Sequence, residues 1–173
     1  MAYVDTNVVL AKYFPEDMIH RRALRFLEQS AMRKIISPIS LVELAAVLSR
    51  IDPALSAPEE LLRETPRRRV RALLEFLIKD TNLHVASVPA KAKLRVGGTS
   101  FAAPIEYYTC IRLAHALKLK TLDLLHVAYA DNLRKCGYDI KTFVTFDQDI
   151  IGKAHEIQQE TEIEVKEPND IEK

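Results

Sequence analysis

The sequence predicts an α/β protein built around a central, mostly parallel sheet of four to five strands. Short apolar segments alternate with longer segments whose apolar residues recur at helical spacing, which is typical of parallel strands joined by helices. The chain has only four glycines and no tryptophan, which disfavours a sandwich or barrel full of tight turns. Its 173 residues, of which 48% are hydrophobic and 28% charged, suit one globular domain.

The first 50 residues predict two strands, each followed by a helix. Residues 2–4 form a short apolar strand ending at Asp5, and apolar residues at helical spacing predict a helix over 17–32. A second strand spans residues 34–37. The helix over 41–50 is apolar on nearly all sides, which predicts that it is buried.

The middle of the chain has a less regular pattern. Three prolines interrupt residues 51–66, and an amphipathic helix then spans residues 66–79. A third strand is predicted over residues 83–88. In residues 89–103 the only readable feature is a turn at Gly97-Gly98.

The last third returns to regular elements. Pro104 suits the first position of a helix through Leu117, and another helix over 122–135 ends before Gly137. The remaining elements are a strand over 141–146, a helix over 148–159 and an edge strand over 162–165. We therefore expect one domain over residues 1–160, with an extension at about 52–103 and an edge strand and polar tail over 161–173.

Composition disfavours several classes of protein. The 25 basic and 24 acidic residues give a net charge of +1, so any affinity for phosphates must come from local clusters. The apolar runs are shorter than the roughly 20 residues of a membrane helix, and we expect neither a membrane span nor a signal peptide. Cys110 and Cys136 belong to no zinc-binding pattern and fit the reducing cytoplasm.

Four acidic residues interrupt apolar sequence at strand ends or helix starts: Asp5, Glu43, Asp123 and Asp147. Each also has a simpler interpretation. The two strand-end aspartates can cap helices, Glu43 can complete a capping box opened by Ser40, and Asp123 can be a first-turn acid. Because sites in parallel sheets lie beyond the carboxyl ends of the strands, the same placement can bring all four together.

Clustered carboxylates repel one another unless a cation neutralises them. Oxygen ligands select Mg²⁺ or Mn²⁺ over zinc, and such an ion suits phosphodiester hydrolysis. No glycine-rich phosphate loop is present, which disfavours hydrolysis of nucleoside triphosphates. His126 is interpreted as a core or rim histidine.

Four segments resemble motifs of one family and occur in that family's order. They are Tyr3-Val-Asp-Thr-Asn-Val-Val-Leu, Ser37-Pro-Ile-Ser-Leu-Val-Glu-Leu, Leu113-Ala-His-Ala-Leu-Lys-Leu-Lys-Thr-Leu-Asp-Leu-Leu-His-Val-Ala and Phe143-Val-Thr-Phe-Asp-Gln-Asp-Ile. The chain resembles the PIN-domain ribonucleases, especially the VapC-type toxins of toxin–antitoxin pairs. The resemblance implies a three-layer α/β/α fold and a metal-dependent endoribonuclease that hydrolyses RNA phosphodiesters.

The resemblance also implies roles for single residues. Asp5, Glu43, Asp123 and Asp147 become the catalytic residues that bind Mg²⁺, with Mn²⁺ as a substitute. Residues that orient these acids are Thr6, Asn7 and Thr145. Asp149 is either a ligand through water or a first-turn acid of the last helix. Expected partners are an RNA substrate, an antitoxin protein and a second copy of the chain.

One departure from compact family members is extra material at about 52–72 and 89–103. The first of these segments contains Arg67, Arg68 and Arg71, which we call the arginine cluster. Arg68 and Arg71 share a helix face at i, i+3 spacing, and Arg67 and Arg71 share one at i, i+4 spacing. This stripe can follow an RNA backbone, dock an acidic partner or be a solvated helix face.

Two other functions remain open. The first is a structure-specific DNA nuclease, since the related fold serves both substrates. The second is a catalytically silent module that binds RNA or protein, against which the presence of all four acids argues. An aspartyl phosphatase is disfavoured, because Asn7 stands where such enzymes carry a second aspartate.

Overall fold

A computed structural model describes residues 1–50 and 55–171, so the sequence-based predictions for 51–54 and 172–173 lie outside the described residues. The strands are β1 Ala2–Val4, β2 Lys34–Ile36, β3 His84–Val85, β4 Lys91–Val96, β5 Thr99–Pro104, β6 Thr142–Val144 and β7 Glu164–Lys166. The helices are α1 Thr6–Ala11, α2 His20–Gln29, α3 Pro38–Leu48, α4 Glu59–Leu62, α5 Pro66–Asp80, α6 Ile105–Leu117, α7 Thr121–Lys135, α8 Gln148–Ile151 and α9 Ala154–Thr161. A short 3₁₀ turn at Pro168–Asp170 follows them.

Five strands form a central sheet in the order β3-β2-β1-β6-β7, with every pair parallel. All three residues of β1 are fully buried, as expected for a central strand covered on both faces. Strands β2 and β3 lie on one side of β1, and the later strands β6 and β7 lie on its other side. The strand order therefore reverses at β1, and a crevice forms beyond its carboxyl end.

Helices cover both faces of this sheet. Side chains alternate along β1, so Ala2 and Val4 face one core and Tyr3 faces the other. The first core includes residues of α1, α2, α3 and α5, and the second includes residues of α6, α7 and α9. This arrangement confirms the predicted α/β/α fold. Among the described helices, none has the length and apolarity needed to cross a membrane.

The start of α3 differs from the prediction. The helix begins at Pro38 with Ser37 as its N-cap, and the Ser37 backbone N donates to Ser40 Oγ over 3.4 Å. The predicted capping box between Ser40 and Glu43 is therefore wrong. Proline is favoured at the first position of a helix because it has no N–H to leave unpaired, and that signal places the cap three residues earlier.

Other elements also differ from the prediction. Helix α1 directly after Asp5 was not predicted, and the predicted helix over 17–32 is shortened to α2. Residues 148–159 form two short helices because the chain turns at Gly152 and Lys153. The predicted turn at Gly97-Gly98 joins β4 to β5 in an antiparallel hairpin, and the predicted edge strand is β7.

A buried cation ties the end of α1 to α2 and α5. The Nζ of Lys12 lies 2.8 Å from Asp80 Oδ2 and 3.1 Å from Glu28 Oε1. The Tyr13 hydroxyl also donates to Asp80 Oδ2 over 2.8 Å. Burial acts to raise the pKa of Asp80, but the hydrogen bonds from Lys12 and Tyr13 outweigh it and hold that pKa below its ordinary value.

Replacing Asp80 with asparagine should lower the free energy of unfolding at pH 7 by about 1–2 kcal/mol, because buried Lys12 loses one of its acid partners. A carboxylate with a depressed folded-state pKa stabilises the fold above its ordinary pKa of about 3.9, and this stabilisation is lost as pH falls through the depressed value. The difference between parent and Asp80→Asn should therefore shrink in acid. Urea unfolding across this pH range measures it, and equal stability at pH 7 would contradict the prediction.

Candidate active site

Asp5, at the carboxyl end of β1, is oriented by hydrogen bonds from three neighbouring residues. Asp5 is the N-cap of α1, and its Oδ1 accepts a hydrogen bond from Thr6 N over 2.7 Å. Its Oδ2 accepts from the Thr145 hydroxyl at 2.6 Å and from Asn7 Nδ2 at 3.0 Å. Thr145 directly follows β6, so the pairing of β1 with β6 places these residues together. Asp5 is therefore both a helix cap and a rigidly held carboxylate.

Asn7 and Thr145 connect this acid to the start of α8. Asn7 Nδ2 also donates to Thr145 Oγ1 over 3.1 Å, and its Oδ1 accepts from Phe146 N over 3.2 Å. The same Thr145 hydroxyl oxygen accepts from Asp147 N over 2.9 Å. The end of β1 and the segment after β6 are thus held in one hydrogen-bonded unit.

Thr6 donates hydrogen bonds to both Asp5 and Glu43. Its backbone N donates to Asp5, and its hydroxyl donates to Glu43 Oε2 over 2.6 Å. Glu43 lies on α3, and the contact between α1 and α3 brings these side chains together. The Glu43 side chain therefore points to α1 rather than to the start of its own helix.

A buried histidine holds the same carboxylate from the other side. His126 Nε2 lies 2.6 Å from Glu43 Oε2, and its Nδ1 lies 2.8 Å from the Tyr3 hydroxyl. That hydroxyl also lies 2.7 Å from Ser37 Oγ. A donor at Nε2 satisfies the Glu43 carboxylate, while the hydroxyls of Tyr3 and Ser37 turn to suit the other ring nitrogen. His126 is thus a fixed support for Glu43.

The sequence patterns indicate no role for Tyr3 or Ser37, and they predict only that His126 lies in the core or at its rim. One signal for His126 is present in the chain: it follows Asp123 by three residues, so both lie on one face of α7. A histidine that shares a face with a candidate site acid can reach the same cleft.

The other two acids begin α7 and α8. Asp123 lies in the first turn of α7 and is half-buried. Asp147 is the N-cap of α8, where its Oδ1 accepts from Asp149 N at 2.7 Å and from Ile150 N at 3.3 Å. As with Asp5, the capping role leaves the residue at the edge of the cleft.

All four acids line one cleft of about 490 Å³. Its described lining residues are Asp5, Thr6, Asn7, Leu10, Glu43, Ala46, Val47, Arg50, Leu122, Asp123, His126 and Asp147. Carboxylates therefore share the cleft with aliphatic side chains from α1, α3 and α7. This cleft is the crevice expected beyond β1.

The acids do not share one electrostatic environment. Burial raises the pKa of Asp5, which is only 6% exposed. Burial and then the charges of Asp147 and Asp5 raise the pKa of Asp123. Burial also acts to raise the pKa of Glu43, but the hydrogen bond and charge of His126 outweigh it, and that pKa is lowered. Two carboxylates are thus costly to ionise in the absence of a cation.

The donor set fits a hard divalent cation. Asp5, Glu43 and His126 each place one ligand atom within 4.8 Å of the others. Both ring nitrogens of His126 already contact protein partners, so the carboxylate oxygens are the atoms more readily available to an ion. Closely spaced carboxylate oxygens, one of them on a buried aspartate, suit Mg²⁺ or Mn²⁺.

The remaining predicted residues lie outside the described lining of this cleft. Asp149 is exposed in the first turn of α8, and its Oδ2 accepts from Lys120 Nζ over 2.6 Å. Arg67, Arg68 and Arg71 are exposed on α5, where Arg71 Nε donates to Glu75 Oε1 over 3.0 Å. The arginine cluster is therefore a surface separate from the acids.

Comparison with solved structures finds the same fold in two complexes. The first is VapBC2 from Rickettsia felis bound to a DNA fragment from their promoter, with a TM-score of 0.56 and 16% identity over 96% of this chain and 98% of that one. The second is VapBC-1 from nontypeable Haemophilus influenzae, with a TM-score of 0.50 and 16% identity over 98% of this chain and 99% of that one. Comparison with curated proteins finds no match.

A family model agrees with this likeness and with the motifs. The model for the PIN domain matches residues 2–156, a range that contains the whole cleft. Within that range, the four acids that the motifs single out line one cleft. The chain therefore belongs to the PIN domain family.

Proposed function

We propose that this protein is a magnesium-dependent endoribonuclease and the toxin component of a toxin–antitoxin pair. The observation that carries the proposal is the convergence of Asp5, Glu43, Asp123 and Asp147 in one cleft. PIN domains are nucleases, and a single cleft rich in carboxylates is the arrangement such hydrolysis requires. The two VapBC complexes with the same fold support the toxin assignment.

The four carboxylates would hold the ion. When bound, the ion supplies positive charge that activates water and offsets the charge developing on a phosphate. The chain itself supplies orientation, because Asp5 and Glu43 are held by hydrogen bonds from Thr6, Thr145 and His126. The aliphatic walls of the cleft, which include exposed Leu122, suit the apolar faces of nucleobases.

We further propose that the arginine cluster on α5 docks an acidic segment of the antitoxin. Arg67 and Arg68 are exposed, and α5 packs against α3, the helix that carries Glu43. A partner on α5 would lie next to the cleft without filling it. The resemblance to VapC-type toxins also favours a homodimer and a cytoplasmic location.

The test is cleavage of labelled single-stranded RNA and of DNA with the same base sequence, in the presence of Mg²⁺. We expect internal cleavage of the RNA, complete loss of cleavage in excess EDTA, and its return with added Mg²⁺ or Mn²⁺. Cleavage of structured DNA with intact RNA would instead identify a DNA nuclease. Binding of RNA without cleavage of either substrate would identify a silent module.

A further inference from the structure

The β4–β5 hairpin carries three cations on one face. The strands pair with Lys91 opposite Pro104, Lys93 opposite Ala102 and Arg95 opposite Ser100. Opposed residues of an antiparallel pair point to the same side, and alternate residues of a strand share a face. These six residues therefore form one surface of the hairpin, which we call the basic face.

Part of the other face packs against the body of the protein. Leu94 and Ala103 on that face are buried, and both strands contact α6, whereas Val96 and Phe101 on the same face are exposed. Lys91, Lys93 and Arg95 are all exposed. The hairpin is thus anchored through Leu94 and Ala103 and presents its cations to solvent.

The charges on the basic face are not neutralised locally. Within residues 1–50 and 55–171, none of these three cations forms an ion pair, whereas Arg71 on α5 pairs with Glu75. The sequence from Thr81 through Ile105 contains no aspartate or glutamate. A chain with a net charge of only +1 therefore has a strongly positive patch at this place.

The geometry of the basic face suits a chain of phosphates. Alternate residues of a strand are about 6.6 Å apart, so the three cations form a straight row that an extended polyanion can follow. Near the tip, Lys93, Arg95, Gly98 and Ser100 line a hollow of about 380 Å³. Two cations and a hydroxyl at one hollow can each contact the oxygens of a phosphate.

We propose that the basic face binds the phosphate backbone of single-stranded RNA outside the catalytic cleft. This inference rests on the proposed function. The hairpin leads directly into α6, and the other end of α6 leads to α7 and Asp123. A helix of 13 residues spans about 20 Å, so several nucleotides separate the two contacts. The hairpin therefore holds long RNA and has no contact with a short oligonucleotide confined to the cleft.

The test compares the parent with Lys91→Gln/Lys93→Gln/Arg95→Gln, using fluorescence anisotropy of a labelled oligouridine of about 20 nucleotides in EDTA. The affinity of the variant for this oligouridine at about 0.1 M salt should be roughly 5- to 50-fold lower than that of the parent. The slope of log affinity against log salt concentration should also flatten by about two, because each of the three phosphate contacts to a single strand contributes about 0.7 to that slope.

The matched control is Arg67→Gln/Arg68→Gln/Arg71→Gln, which removes the same charge from α5. It should keep the affinity and salt slope of the parent for the long oligouridine. Equal binding by the hairpin variant and the parent, or an equal loss in the control, would overturn the proposal. The proposal would also be overturned if the hairpin variant bound RNA like the parent but no longer bound a protein partner. Since binding is measured without metal, failure of RNA cleavage would refute only the proposed function.

Discussion

Replacing Asp5 with asparagine should lower the rate of magnesium-dependent RNA cleavage by about 10³-fold or more, the scale seen when a group needed in the transition state is removed. Asparagine keeps the shape of the side chain but loses the charge that attracts the ion. Its oxygen can still accept from Thr6 N, so α1 keeps its cap. Single-turnover cleavage of labelled RNA, with enzyme in excess, measures the change.

The fold of Asp5→Asn should survive: the amide loses the two hydrogen bonds that Oδ2 accepts from Thr145 and Asn7, each worth about 1 kcal/mol, but a costly buried charge disappears as well. We expect a melting temperature within about 4 °C of the parent. The matched control is Asp139→Asn, an exposed acid before β6 at the opposite end of the sheet, which should cleave like the parent. Parental activity in Asp5→Asn would rule out metal-assisted catalysis in this cleft.

Replacing His126 with leucine should weaken Mg²⁺ binding by about 10- to 100-fold, the usual effect of removing a group that orients a metal ligand. The substitution removes the donor 2.6 Å from Glu43 Oε2 and leaves Thr6 as the remaining donor to that oxygen among the described residues. Glu43 would then lose its fixed orientation. Isothermal titration calorimetry with Mg²⁺ and Mn²⁺ measures the affinity without relying on cleavage.

His126→Gln is the matched variant for this test. A glutamine amide can reach the position of Nε2 and donate to Glu43, so metal affinity should return to within several-fold of the parent. A role in core packing alone predicts a different result. In that case His126→Leu would bind the ion like the parent, and His126→Gln would show the larger loss of thermal stability.

Asp5→Asn and His126→Leu test different parts of the hydrogen-bonded network around the acids. Asp5 is held by groups from the ends of β1 and β6, and Glu43 by groups from α1 and α7. Thr6 belongs to both sets, since its N–H and its hydroxyl donate to different acids. A change in the relative positions of β1 and α3 would therefore move both carboxylates at once.

Much of this fold can be predicted from the sequence, because secondary-structure patterns are local. The apolar residues of β1 alternate between two cores, and the helical spacing in α5, α6 and α7 reflects one buried face each. The elements missed are those with weak local signals. Helix α1 has only six residues, and the strands of the hairpin have a polar outer face over a largely exposed surface.

The positions of the four acids could also be predicted only in part from local sequence patterns. Asp5 and Asp147 directly follow apolar strands, so the sequence alone predicts that they lie at the carboxyl edge of the sheet. Glu43 was harder to interpret, because a local capping role explained it equally well. Its actual partners, Thr6 and His126, lie 37 and 83 residues away along the chain.

The sequence by itself determined that short strands and helices alternate around a parallel sheet, and it singled out the four acids that line one cleft. Tertiary structure alone decided which groups orient them. Thr145 is 140 residues from Asp5, and Tyr3 is 123 residues from His126, yet each pair is hydrogen-bonded in the buried interior. Hydrogen bonds of this kind depend on how the elements pack, because a polar group is buried only where packing provides a partner. The periodicity of one segment contains no information about that partner.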